Sequence, residues 1–472
     1  MRKRGAEAAT TQMGRMGAED PSTIPGRGAN LRGVTVAQVR VPRARLLVVL
    51  AAVAVSAAIL ILTRGYTFYF DEWGYILSAP DWNAAAYLQP HNGHPQMLTR
   101  LIYSILLATV GLRSYLPYMA VLLALHATSV VLLFELVRRR AGDLIGIACA
   151  ALLLVIGAGW ENLLWAFQMS FVGSVACGLG MILVLEGRPT RWRMPLAMAL
   201  LTASVMFSAV GVFFGLVALR LAVTRERPNE VWWLVPVAIV FGAWFLAFDR
   251  AQPGAAGSSS NLLQLPLYTL WGLGASAAGL IGEGGWIGLP ILALAAGAVG
   301  YSWWRGGFDP LALGVAVALV MFYMVTGLAR GQIGYDQSGA GRYVYVGAVF
   351  WLILLARAAA RLPWRGTWRP AMVALVFLAC FNSGALLVEF GTAKAAQMQR
   401  QMADLQALAA VRSNPCLNPT GAVDQLVMPD ETNPALYYRA IVRYGDPPAG
   451  MPVTDRADFD QAMANLLTAG CK

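Results

Sequence analysis

Residues 46–73, "LLVVLAAVAVSAAILILTRGYTFYFDEW", decide the fold. Leu46 to Thr63 is a run of 18 residues without a charge. As a helix it is about 27 Å long at ~1.5 Å per residue, close to the hydrocarbon thickness of a bilayer. A chain crossing lipid must satisfy its own backbone hydrogen bonds, so such a run is helical. It is too long for a signal-peptide core and no small-residue cleavage site follows it, so it is expected to remain as an anchor. The apolar run then gives way to an acidic pair, Asp71 and Glu72, set among Tyr66, Phe68, Tyr69, Phe70, Trp73 and Tyr75.

The same logic extends over the 472 residues, of which 58% are hydrophobic and 13% charged. Those shares lie far from an ordinary soluble domain and give an all-α polytopic membrane protein. The net charge of +11 does not point to nucleic acid. Its positive residues sit in the first 45 positions and in short turns between apolar runs, the pattern of topology determinants facing anionic lipid.

Spanning runs fall near 46–63, 117–137, 142–159, 165–186, 195–208, 210–224, 231–248, 287–304, 309–328, 343–360 and 370–390. Two further runs, 97–112 and 262–282, are read as lying on or dipping into the outer face. With that choice every strongly basic turn falls inside: Arg138 to Arg140, "RPTRWR" 188–193, "RERP" 225–228, Arg305 and "RLPWRGTWR" 361–369. About eleven spans follow, with the N-terminus cytoplasmic and the C-terminus extracytoplasmic. The runs 195–208 and 210–224 are short enough to form one bent helix pair buried in protein.

Three regions result. Residues 1–45 are read as a disordered basic cytoplasmic tail, 46–391 as the membrane domain, and 392–472 as a small extracytoplasmic segment with short amphipathic helices near 392–414 and 455–470. Cys416 and Cys471 are free to pair if that segment faces an oxidising compartment. Cys149, Cys177 and Cys380 lie in apolar runs and read as packing residues.

This topology gathers the unusual polar residues on the outer face. Partial desolvation among aromatics raises a carboxylate toward the working range of a general base, so Asp71 and Glu72 are the first candidates. "HNGHP" adds His91 and His94, candidates for contact with substrate, for a hydrogen-bonding role or for a metal shared with the acids; no third ligand is evident, so a divalent metal stays open. Glu161 and Gln168 in "GWENLLWAFQ" (159–168) are candidates for contact with substrate. "ARGQIGYDQSGAGRYVY" (329–345) sets Arg330, Arg342 and Tyr343 around a Gly-rich loop at the mouth of two spans. Arginine forks with approachable backbone amides suit a phosphate, and the positive-inside bias disfavours arginines on this face without such a reason. His126, alone inside a span, reads as a packed core residue.

An acidic motif ("FDEW") after the first span, then "HNGHP" and the outer-face helix 97–112, and a second external acid, Glu161, resemble the GT-C superfamily of membrane glycosyltransferases, in the branch of protein O-mannosyltransferases, lipid A aminoarabinose transferases and arabinofuranosyltransferases; "FDEWGY", "HNGHP", "GLRSYLPY" and "ENLLWAFQ" together further resemble a group of actinobacterial membrane proteins. The resemblance covers roughly residues 46–390 in architecture and only short motifs in sequence. It departs where "HNGHP" replaces the "HPP" that often follows the acidic motif, and in the small C-terminal segment. It implies inverting transfer of a sugar from a polyprenyl-phosphate donor to an envelope glycan, lipid or protein at the outer face of the plasma membrane. Asp71 is then the base, Glu72 positions the acceptor, and Arg330 and Arg342 hold the leaving phosphate. A lipid monophosphate leaving group held by arginines does not require a metal. The competing classes are a transporter or lipid flippase, which would show internal repeats and polar groups at mid-membrane, and a non-catalytic protein of the same fold.

Overall fold

The computed structural model describes residues 35–224, 228–250, 259–307, 309–419, 421, 434–447, 452–468 and 470. Among them the chain is helical and no strand occurs. In order, the helices are α1 (Ala44–Leu62), α2 (Asp71–Ser78), α3 (Met97–Thr109), α4 (Leu116–Ala141), α5 (Asp143–Leu154), α6 (Glu161–Leu164), α7 (Met169–Leu185), α8 (Arg193–Phe207), α9 (Gly211–Thr224), α10 (Val235–Trp244), α11 (Ser259–Ala278), α12 (Gly288–Gly306), α13 (Pro310–Arg330), α14 (Gly341–Ala359), α15 (Trp368–Val411), α16 (Pro434–Tyr444) and α17 (Arg456–Leu466). The described residues include 8 helical stretches long and apolar enough to cross a membrane. They coincide with 8 of the apolar runs in the sequence, and the other three expected spans are the shorter helices α5, α8 and α9.

Packing shows why the bundle is a membrane protein. α1 buries Ala44, Val48, Ala52 and Ile59 on one side while exposing Leu46, Leu50, Val53 and Ile61 on the other. A helix with one packed and one exposed face, both apolar, has lipid and not water as its solvent. α14 is the central element: nearly all its residues from Gly341 to Ala356 are buried, and it touches α4, α5, α7, α11, α12 and α13. Its N-terminal end carries Arg342 and Tyr343. α8 and α9 form a tight helical hairpin through Ser208 to Val210. Gly211 is required there, since a Cβ would come within 2.5 Å of the Val205 backbone nitrogen.

The two ends of the bundle differ sharply. At one end Arg140 bridges Glu186 and Asp309, both at 2.6 Å, and Arg357 lies 3.6 Å from the same Asp309. Arg45 and Arg138 close on Glu135 at 2.6 and 3.0 Å. The ordered start of the chain docks at this end: Val36 donates to the Leu362 carbonyl at 3.1 Å and Val41 to Asp143 Oδ2 at 3.1 Å. The tail expected to be disordered through residue 45 is therefore structured from Thr35, and residues 1–34 lie outside the described residues.

The opposite end carries α2, α3, the loops around α6 and between α13 and α14, and the C-terminal segment. α15 runs unbroken for 44 residues, so the last apolar run and the amphipathic helix expected after residue 392 are one rod. α16 was not legible as a helix in the sequence. It buries Tyr437, Ala440 and Ile441 at helical spacing and sets Tyr437 against Trp73 of α2, ring centroids 5.7 Å apart. Leu112 donates to the Tyr444 carbonyl at 2.9 Å, and Gly111 (φ +67) passes so close that no Cβ fits. Cys416 is disulfide-bonded; the partner expected from the sequence, Cys471, lies outside the described residues.

Candidate active site

α2 begins at the acidic pair, and its first turn separates the two carboxylates by environment. Phe70, the residue before it, takes φ 48° and ψ −116°, a conformation that favours glycine. The turn leaves Asp71 partly exposed and drives Glu72 fully inward. Asp71 Oδ1 lies 3.6 Å from His91 Nε2.

Glu72 is enclosed by hydrogen-bond donors. Tyr103 of α3 donates at 2.6 Å, the Tyr69 backbone N–H at 2.8 Å, and Tyr115 at 3.0 and 3.1 Å to the two oxygens. Burial pushes the carboxyl up to about 7, against the opposing pull of these donors and of the Lys394 charge. Contrary to the expectation that Glu72 positions an acceptor, its carboxylate faces this tyrosine cage. Tyr115 also accepts from the Ala166 N–H at 2.9 Å, which ties the 157–168 loop to the same acid.

The two histidines form a closed backbone pair, each N–H donating to the other's carbonyl at 3.0 Å. Asn92 (φ +53) and Gly93 (φ +79) make the reversal between them. His91 packs edge-on against Phe167 and Tyr75. His94 Nδ1 meets Ser208 Oγ at 3.2 Å at the tip of the α8–α9 hairpin, and Phe171 lies edge-on to its ring. Burial first, then the positive charges of Arg330, His91 and Arg342, drives the imidazole down to about 3, so His94 stays neutral. Among the described residues no three His, Cys, Asp or Glu side chains gather as a metal site.

Arg330 and Arg342 come to this same neighbourhood from α13 and α14. Arg330 Nη2 donates to the Asn92 carbonyl at 2.9 Å. Arg342 Nη1 contacts both Glu161 oxygens at 3.1 and 3.2 Å, its backbone N–H donates to Glu161 Oε2 at 2.9 Å, and its guanidinium lies 4.9 Å above the Tyr343 ring. Glu161 and Arg342, separate candidates in the sequence, are thus one ion pair. Both arginines act electrostatically on the Tyr268 hydroxyl, which is buried without a hydrogen-bond partner among the described residues. Gln168 is buried, with Oε1 likewise unpartnered.

Sequence reading missed four contributors. Tyr103 and Tyr115 look like ordinary interfacial tyrosines, and Ser208 marks only a break between apolar runs. Lys394 sits on α15 with Nζ 3.0 Å from the Tyr69 ring centroid. Its signal was present: it is a lone cation just beyond the last apolar run, at the end that gathers Arg330 and Arg342. His126, by contrast, is packed as expected, with Nδ1 3.0 Å from the Tyr345 hydroxyl.

No family model, no curated protein and no solved structure matches this chain. The site geometry therefore carries the functional argument.

Proposed function

We propose that this chain is a membrane glycosyltransferase that moves a sugar from a polyprenyl-phosphate donor to an envelope glycan, lipid or protein, with inversion, at the outer face of the plasma membrane. The reading takes α5, α8 and α9 as crossing the membrane, for about eleven spans, with the basic end cytoplasmic and the site end outside. One observation carries it: Asp71 lies beside His91, Arg330 holds the His91–His94 turn, and Arg342, paired with Glu161, acts electrostatically on His94.

Asp71 is the base. It takes the proton of the acceptor hydroxyl as that oxygen bonds to the anomeric carbon, while the bond from that carbon to the phosphate oxygen breaks. His91 Nε2 faces the Asp71 carboxylate at 3.6 Å. Arg330 and Arg342 meet the charge that grows on the departing prenyl phosphate, and Glu161 holds Arg342 in place for it. Glu72 is a positioning residue that pins α2 through Tyr103 and Tyr115. The prenyl chain lies along the apolar helices that open to lipid. Clustering of the polar groups at one end, away from mid-membrane, supports transfer over transport.

The test is purified protein in lipid nanodiscs with a panel of polyprenyl-phosphate sugars and envelope acceptors, following prenyl phosphate release. Release by wild type, lost in Asp71→Asn and reduced in Arg342→Ala, supports the assignment. No release from any donor, or normal release by both variants, overturns it.

A further inference from the structure

Lys394 is a buried cation that the mechanism above does not use. It is 6% exposed. Burying an ammonium is costly unless something compensates it. Among the described residues its one hydrogen bond runs to Gln397 Oε1 at 3.0 Å, and Glu72 and Glu161 act on it only through space. Its nearest compensation is aromatic: the Tyr69 ring at 3.0 Å, with the Trp165 ring centroid at 5.9 Å. Gln397 in turn donates to the Tyr69 hydroxyl at 3.0 Å, which fixes the geometry of the box.

A second observation points the same way. Trp165 is 8% exposed, and its indole Nε1–H, next to this box, has no hydrogen-bond partner among the described residues. A buried indole N–H normally finds an acceptor. Lys394 has three donors and one hydrogen bond, and Trp165 has one donor and none. Lys394 and Trp165 are thus two buried donors with unused capacity, the Lys394 Nζ lying 5.9 Å from the Trp165 ring centroid.

We propose that Lys394 and Trp165 Nε1 form an oxyanion subsite on the Tyr69 side of the site, taking a phosphate or carboxylate of the ligand. The subsite is distinct from the arginine pair, since its donors come from α15 and the 165–168 loop. It stands whether or not sugar transfer occurs, because it concerns binding alone. The oxyanion belongs either to the lipid phosphate or to an acidic acceptor sugar.

Binding to the full-length protein in nanodiscs separates these sources, with a short-chain prenyl phosphate as one probe and glucuronate as the other. Wild type should bind one of them. Lys394→Met should weaken that binding at least tenfold, Trp165→Phe severalfold, and Lys394→Arg less than threefold. Lys394→Met removes a buried polar amine and should melt no lower than wild type, so lost binding will not reflect unfolding. Wild-type binding of neither probe, or unchanged binding of both in Lys394→Met and Trp165→Phe, overturns the subsite. A chain that binds as expected yet transfers no sugar would refute only the proposed function.

Discussion

Tyr103 donates its hydroxyl to Glu72 Oε1 at 2.6 Å, inside a pocket that leaves Glu72 no solvent contact. The acid beside the candidate base is therefore a structural anchor, and the loop that presents Asp71 depends on it. Tyr103→Phe removes one donor from a buried carboxyl and should cost about 1.5–3 kcal/mol, the range for hydrogen bonds to charged groups. Melting at pH 8, where Glu72 is ionised, reads this loss; an unchanged melting temperature would show that the cage does not hold the loop.

The pH dependence of stability should separate two opposing groups. Glu72 rises from 4.5 to about 7 on folding, so the native state holds more protons across that window and stability falls as pH rises through it. His94 drops from 6.5 to about 3, so the native state holds fewer protons there and stability falls as pH drops below 6.5. Between pH 4.5 and 6.5 the slopes oppose each other. Glu72→Gln should unmask the His94 slope, and His94→Asn the Glu72 slope. Melting curves across this range check the signs, and two flat profiles would contradict both assignments.

Phe70 predicts an inversion of the usual order of small residues. Its φ of 48° with ψ −116° is accessible to glycine and strained for any other residue. Phe70→Gly should therefore be more stable than Phe70→Ala by about 1 kcal/mol, although alanine is normally favoured next to a helix. Equal stabilities would mean that the turn into α2 carries no strain.

Glu161 and Arg342 should respond unequally to truncation. Arg342→Ala leaves the backbone N–H at position 342 still bonded to Glu161, whereas Glu161→Ala removes the partner of both the guanidinium and that N–H. The second variant should be the less stable by about 1–2 kcal/mol. The reverse order would assign the pair's contribution to the arginine alone.

Much of this was legible in the sequence because lipid leaves the chain few choices. The long helices follow from uncharged runs, and the gathering of Arg138 and Arg140 at one end follows from a short basic turn. The approach of Asp71 and Arg330 to the His91–His94 turn was expected from the same charge pattern. Contacts between distant residues were not. Nothing local in "DEW" says that Asp71 faces out and Glu72 in; that depends on Tyr103 and Tyr115, 31 and 43 residues away. The pairing of Glu161 with Arg342 spans 181 residues. The continuous α15 was not legible because the sequence turns polar near residue 392, and a helix need not end where its polarity changes.

The central claim is that Asp71 is the base of a sugar transfer at this cluster. The most direct measurement is the rate of prenyl phosphate release from a polyprenyl-phosphate sugar by the nanodisc protein, wild type against Asp71→Asn. Loss of a general base predicts a fall of roughly 10²- to 10⁴-fold with an unchanged melting temperature. Release at the wild-type rate by a folded Asp71→Asn protein would contradict it.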